Sequence, residues 1–133
     1  MSISNIKVEL QCDIKKVWET ITSLENYTWR SDISKIEIAE ADKRFIEYTK
    51  DGYPTQFIIT AFIPYQRYEF DMENENMSGH WTGLLSESDG IVTIDFTENV
   101  KAKKLYMKPF VKAYLKKQQS LYIKDLKKAL NLI

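Results

Sequence analysis

The chain is short of the residues on which several chemistries depend. It has one cysteine, Cys12, so no intrachain disulfide can form. That suits a reducing compartment. It has one histidine, His80. One His and one Cys cannot build a zinc site without two carboxylates, and no ligand spacing is present, so no metal is expected. No Gly-x-Ser-x-Gly elbow and no glycine-rich phosphate loop occurs, and no cofactor is implied. No run approaches the ~18 apolar residues of a membrane span. The opening MSISNIKVEL lacks a basic region followed by an apolar stretch, so no signal peptide is expected and the cytoplasm is the default location. With only four glycines and three prolines, turns are few and legible.

What is present is a single-domain core spread over residues 1–133, with 44% apolar residues and 13% aromatics. The net charge of zero hides an asymmetry. Residues 1–100 carry 9 Lys/Arg against 18 Asp/Glu, whereas residues 101–133 carry 10 Lys against the single acid Asp125. A basic segment of that kind can seek phosphate or an anionic surface, or can simply be the solvated side of a helix packed on an acidic sheet. It contains no arginine, which argues against nucleic acid as a partner.

The periodicities order the chain. Ile6, Val8, Leu10 and Cys12 alternate with polar residues, predicting a half-buried strand over 6–12. Asp13 stands where an N-cap belongs, and Ile14, Val17, Trp18, Ile21 and Leu24 then recur at helical spacing over 14–24. A connection over 25–33 carries Tyr27 and Trp29. Strand-like runs follow at 33–40, 43–50, 55–63, 66–74, 78–87 and 91–100, punctuated by Asp51-Gly52, Pro64 and Asp89-Gly90. Residues 106–133 read as one long amphipathic helix, with Pro109 in its first turn or kinking it. Strand, helix, six strands and a long helix make an α+β fold: a curled six- to seven-stranded antiparallel sheet around the C-terminal helix. Space left between sheet and helix is a candidate pocket.

In that order the residues resemble the START/Bet v 1-like (SRPBCC) superfamily, the helix-grip fold, and within it the polyketide cyclase/dehydrase-like group. CDIKKVWETITSLENYTWRSDISKIEI (12–38) is similar to the family's opening, with Val17-Trp18 and Trp29 at its marked positions. GHWTGLL (79–85) resembles its Gly-x-Trp strand, DGIVTIDFTENV (89–100) its last strand, and LYIKDLKKAL (121–130) the end of its last helix. The resemblance implies a fold and a pocket, and no shared catalytic motif.

Two polar residues are candidates for acid–base or ligand contacts. His80 alternates with Trp81 along its strand, so it sees the pocket only if Trp81 does not. Glu98 shares a strand face with Ile94, Phe96 and Val100. It either sits in an apolar lining, where its pKa would rise, or reaches solvent near the strand end and pairs with a lysine of the basic helix. Tyr48, Phe57, Phe70, Phe96, Phe110 and Tyr114 fall on expected inward faces. With Trp81 and Glu98 they are the candidate ligand-binding set. Cys12 is expected to be a small buried hydrophobe. The expected partner is a hydrophobic small molecule: a lipid, an aromatic or a polyketide-like compound. A cyclase or dehydratase using Glu98 and His80 is the alternative, and a docking role for the lysine-rich helix, without stable membrane insertion, is the third.

Overall fold

A computed structural model describes all of residues 1–133. β1 spans Ser2–Leu10 and is followed by α1, Ile14–Thr22. Six strands come next: β2 Ile33–Glu40, β3 Arg44–Thr49, β4 Pro54–Ile63, β5 Arg67–Glu73, β6 Met77–Ser88 and β7 Ile91–Ala102. A short 3-10 turn, Leu105–Phe110, leads into α2, Val111–Ala129. The seven strands form one antiparallel sheet in the order β1-β7-β6-β5-β4-β3-β2, so every neighbour after β1 is a hairpin neighbour and the first strand closes against the last. No helix is long and apolar enough to cross a membrane.

The local reasons are those of the sequence. Asp13 caps α1 by accepting from the Lys15 amide at 3.2 Å, and Val17, Trp18 and Ile21 form its buried stripe. Asp89 and Gly90 both take positive φ, 52° and 77°, the signature of a two-residue primed hairpin turn, and they join β6 to β7 through the Ser88–Ile91 pair. Asn131 at φ 59° ends α2 in a left-handed cap, and the Leu132 amide returns to the Lys127 carbonyl at 2.8 Å.

Two expected boundaries move. β1 begins at Ser2 rather than Ile6, because Ser4 occupies an inward position where the alternation calls for an apolar residue. Its hydroxyl donates to Gln119 Oε1 at 2.7 Å, and the Gln119 amide donates back to the Ser4 carbonyl at 3.0 Å. That buried exchange satisfies both polar groups and fixes α2 to β1. The strand also ends at Leu10, leaving Cys12 half-buried in the turn. At the other end α2 begins at Val111, not 106. Pro109 has no amide to give and restricts the residue before it, so 105–110 tightens into a 3-10 turn.

The core lies between the concave sheet face, α1 and α2. Leu10, Ile94, Phe96, Leu115 and Leu126 are almost wholly buried in it. Trp18 meets Phe62, Tyr65 and Tyr68 edge-on at 5.3–6.2 Å, which anchors α1 to the sheet.

Candidate functional site

Strand alternation settles which face Trp81 takes. It pairs across strands with Phe70 on β5 and Glu98 on β7, it is 6% exposed, and its indole stacks on Phe70 at 4.8 Å with rings 6° apart. Gly83, two residues on along the same face, makes the room. A Cβ there would stand 2.4 Å and 2.6 Å from two indole carbons. Trp81 therefore belongs to the concave face, and His80 belongs to the convex one.

Between the concave face and α2 lies a cavity of about 200 Å³ bordered by 27 residues, 18 of them hydrophobic. Phe57, Phe70, Trp81, Phe96, Glu98 and Tyr114, all named from the sequence, border it together. Tyr114 does so while 46% exposed, so the cavity reaches solvent beside the first turns of α2. Two of the expected set are elsewhere. Tyr48 lies on the convex face, because its neighbours Glu47 and Thr49 take the inward positions. Its hydroxyl bonds to Glu37, and Lys35 Nζ sits 4.6 Å from its ring centre. Phe110 is 69% exposed and away from the cavity, because the 3-10 turn breaks the helical phase that would have pointed it inward. His80 is the third departure. It shares no space with Glu98, so the two cannot act on one ligand.

The polar side of the cavity was largely hidden in the sequence. Arg30, from the connection before β2, forms a two-pronged pair with Asp32 at 3.0 Å and 3.0 Å and a second pair with Glu47 of β3 at 3.3 Å and 3.3 Å. Its guanidinium lies 5.0 Å from the Tyr122 ring centre, and Tyr122 in turn meets Trp29 edge-on at 5.3 Å. Burial works against this cation, but Glu47 and Asp32 more than offset it, so Arg30 stays charged throughout the ordinary pH range. Burial raises the Tyr122 hydroxyl well above its usual range, so it remains neutral. Asp125, the lone acid of the basic segment, accepts from the Ser31 amide at 2.8 Å and hydroxyl at 2.7 Å. That holds the Arg30 segment against α2. In the sequence Asp32 stands two residues from Arg30, but Glu47 is 17 residues away, and no spacing rule joins 30, 32 and 47.

Glu98 is the chemical exception within the cavity. It stands between Ser4 of β1 and Trp81 of β6 in the sheet register. Arg30 already gives four of its N–H bonds to Asp32 and Glu47, and no lysine reaches Glu98 to form an ion pair. Burial pushes the Glu98 carboxyl up to about 7. The Arg30 charge opposes the rise and the Glu47 charge adds to it. Near neutrality such a group exchanges a proton readily and can donate or accept a hydrogen bond.

On the convex face His80 is held by carboxylates. Nδ1 lies 2.7 Å from Asp71 and Nε2 2.7 Å from Glu69, an arrangement that gives both nitrogens a proton to donate only in the imidazolium. Burial works against that charge, but the two carboxylates outweigh it and the His80 pKa is raised. No group of His, Cys, Asp and Glu side chains is arranged to hold a metal ion. Lys108, Lys112, Lys116, Lys117, Lys124 and Lys128 face solvent. None makes an ion pair with the sheet, and Lys116 reaches only the Asn5 carbonyl at 3.4 Å.

A curled antiparallel sheet gripping a C-terminal helix over a largely apolar cavity is a helix-grip fold. Solved structures share it over nearly the whole chain. A conserved protein from Geobacillus kaustophilus superposes with a TM-score of 0.84 at 12% identity, covering 98% of this chain and 95% of that one. A START superfamily protein from Mycobacterium smegmatis gives 0.81 at 14% identity, with 97% of each chain covered. A protein of the dynemicin biosynthetic locus gives 0.76 at 12% identity, over 97% of this chain and 47% of its own. No protein-family model matches the sequence, and no curated protein matches it either. At these identities the likeness is one of fold.

Proposed function

We propose that the protein binds a compact hydrophobic small molecule in the cavity between sheet and α2. The observation that supports this most is the pairing of a space of about 200 Å³ lined mostly by apolar side chains with one carboxyl that has no protein partner. A core closed for stability alone would not leave an ionisable group beside unfilled apolar space, because such surroundings disfavour its charged form. The volume sets the scale. It lies below the ~300–1,000 Å³ of sites for drug-sized ligands and somewhat above the ~150 Å³ in which an apolar cavity accepts benzene. An occupant of one ring with a short polar arm fits better than a long acyl chain.

Native mass spectrometry of the purified protein, followed by thermal shift against a panel of one- and two-ring aromatics and short-chain lipids, tests this reading. A retained small molecule, or a shift with the compact aromatics, supports it. No retained molecule and no shift across the panel would overturn it. Glu98 titrating near neutrality favours a second reading, acid–base catalysis on the bound molecule. Under it the captured molecule changes mass on incubation with the wild-type protein and not with Glu98→Gln. His80 has no part in either reading, since it lies across the sheet.

A further inference from the structure

We propose that the cavity selects a compact aromatic amine, bound as its cation, over neutral and carboxylate-bearing molecules of the same skeleton. This deepens the reading above and rests on it. The charged side chains bordering the cavity are one cation, Arg30, against three carboxyl groups, Asp32, Glu47 and Glu98. No lysine and no histidine is among them. The balance is negative whether or not Glu98 carries its proton.

The single cation is not free to receive an anion. Four guanidinium N–H groups already point to Asp32 and Glu47 oxygens, and the face of the group lies against Tyr122. A carboxylate entering the cavity would lose its water and find no unoccupied donor fork, while facing acids of its own sign. An ammonium meets the opposite situation. Glu98 has a carboxyl with no protein partner, and Trp81 stands beside it in the register with Phe70 and Phe96 stacked or tilted against the indole at 4.8 Å. A carboxyl with no protein partner can accept a charge-assisted hydrogen bond from an ammonium, and the aromatic wall beside it receives the ring of the same molecule.

Binding of that kind is coupled to the proton on Glu98. The titratable and charged groups facing it are Arg30, Asp32 and Glu47 from the strand-side cluster and Tyr114 and Tyr122 from α2. Both tyrosines are raised, by burial first, and stay neutral, so Glu98 is the group that changes charge between pH 6 and pH 8. A primary alkylammonium keeps its own proton over that range, its pKa being close to the ~10.4 of lysine. Amine affinity therefore rises with pH.

Titration calorimetry with 2-phenylethylamine, 2-phenylethanol and 3-phenylpropionate, on the wild-type protein and Glu98→Gln at pH 6 and pH 8, separates the possibilities. At pH 8 the amine should bind roughly tenfold or more tightly than the other two, the worth of one hydrogen bond to a charged group. The preference should shrink several-fold at pH 6. In Glu98→Gln the amine should fall to the level of the alcohol. A convex-face control, Glu69→Gln, should leave all three as they are. The proposal is overturned if the carboxylate binds as well as the amine, or if the amine preference survives Glu98→Gln or ignores pH. If the alcohol or the carboxylate binds and the amine does not, selectivity alone fails. If none of the three binds, the amine proposal fails, and the cavity reading fails with it when the wider panel and native mass spectrometry are also blank.

Discussion

Glu69 and Glu98 are the same residue type on one sheet, two strands apart and on opposite faces, and the sheet drives them in opposite directions. Glu69, on the convex face, accepts from His80 at 2.7 Å, Arg67 at 2.6 Å and Thr82 at 3.1 Å. Those donors, His80 first and Arg67 next, hold it down at about 2. Glu98, on the concave face, has no such donors, and burial lifts it to about 7. The difference comes from what each face offers a charge. The convex face supplies partners and water, whereas the concave face supplies aromatic rings and the cavity. Which carboxylate is chemically poised is thus decided by strand parity.

The sharpest way to break that contrast is to remove what makes the concave face apolar. Trp81→Ala deletes the indole stacked on Phe70 and packed on Phe96, and should lower unfolding stability by about 3–5 kcal/mol in urea titration. Gly83 would no longer be needed for clearance, so Gly83→Ala should be strongly destabilising in the wild type and much milder in the Trp81→Ala background. Equal costs in both backgrounds would show that the indole is not what Gly83 accommodates.

A smaller effect, with a sign of its own, comes from Glu98. Its folded pKa stands above the 4.5 of an exposed glutamate, so the folded state holds the extra proton between about pH 4.5 and about pH 7. Folding is unpenalised below that window and weakens as pH rises through it. Glu98→Gln removes the titration. It should flatten the stability curve over this window and be more stable than the wild type at pH 8, by on the order of 2 kcal/mol. Parallel curves for the two proteins would mean that Glu98 is not buried as described.

The chain's alternation and helical spacings were enough to read an antiparallel meander, a long C-terminal helix and the inward faces of Phe57, Phe70, Phe96 and Glu98, because a period of two assigns faces directly. Where the pattern is interrupted, contacts distant in sequence decide the structure. Ser4 masked the start of β1, since its satisfaction depends on Gln119, 115 residues away. Tyr48 was placed inward because an aromatic outranks Glu47 in any hydropathy ranking, yet Arg30 makes Glu47 the buried one. Phe110 was placed on the long helix, and Pro109 took it off. The Arg30–Asp32–Glu47 cluster was illegible for a different reason. Its members meet through the fold of the 25–33 connection against β3 and α2, a tertiary event with no local period.

The convex side yields the next effect in size. Glu69→Gln keeps the shape but trades a charged acceptor for a neutral amide, and should cost about 1 kcal/mol near pH 6. The sign is opposite to that of Glu98→Gln. Because Glu69 is lowered in the folded state, its contribution is present above about pH 4.5 and is lost as pH falls toward about 2. Acid unfolding should therefore move to higher pH in the wild type than in the variant once the neutral-pH difference is normalised, and no movement would mean that the pair contributes nothing.

His80→Ala should have the smallest effect, about 0–1 kcal/mol, because the imidazole is partly exposed and its ion pairs are screened. Its value lies in where the effect falls on the pH axis. The His80 pKa is raised in the folded state, so its contribution is complete below about pH 6.5, is lost as pH rises through the folded value, and is gone above it. The wild type should thus lose stability in two steps as pH rises. The one between about pH 4.5 and about pH 7 disappears only in Glu98→Gln, and the one that starts near pH 6.5 disappears only in His80→Ala. Thermal unfolding of both variants and their double mutant at half-unit pH intervals would resolve them. The two effects should add, since the side chains lie on opposite faces of the sheet and share no partner. A double mutant that departs from additivity by more than about 0.5 kcal/mol would show that the two faces are electrostatically coupled through the sheet.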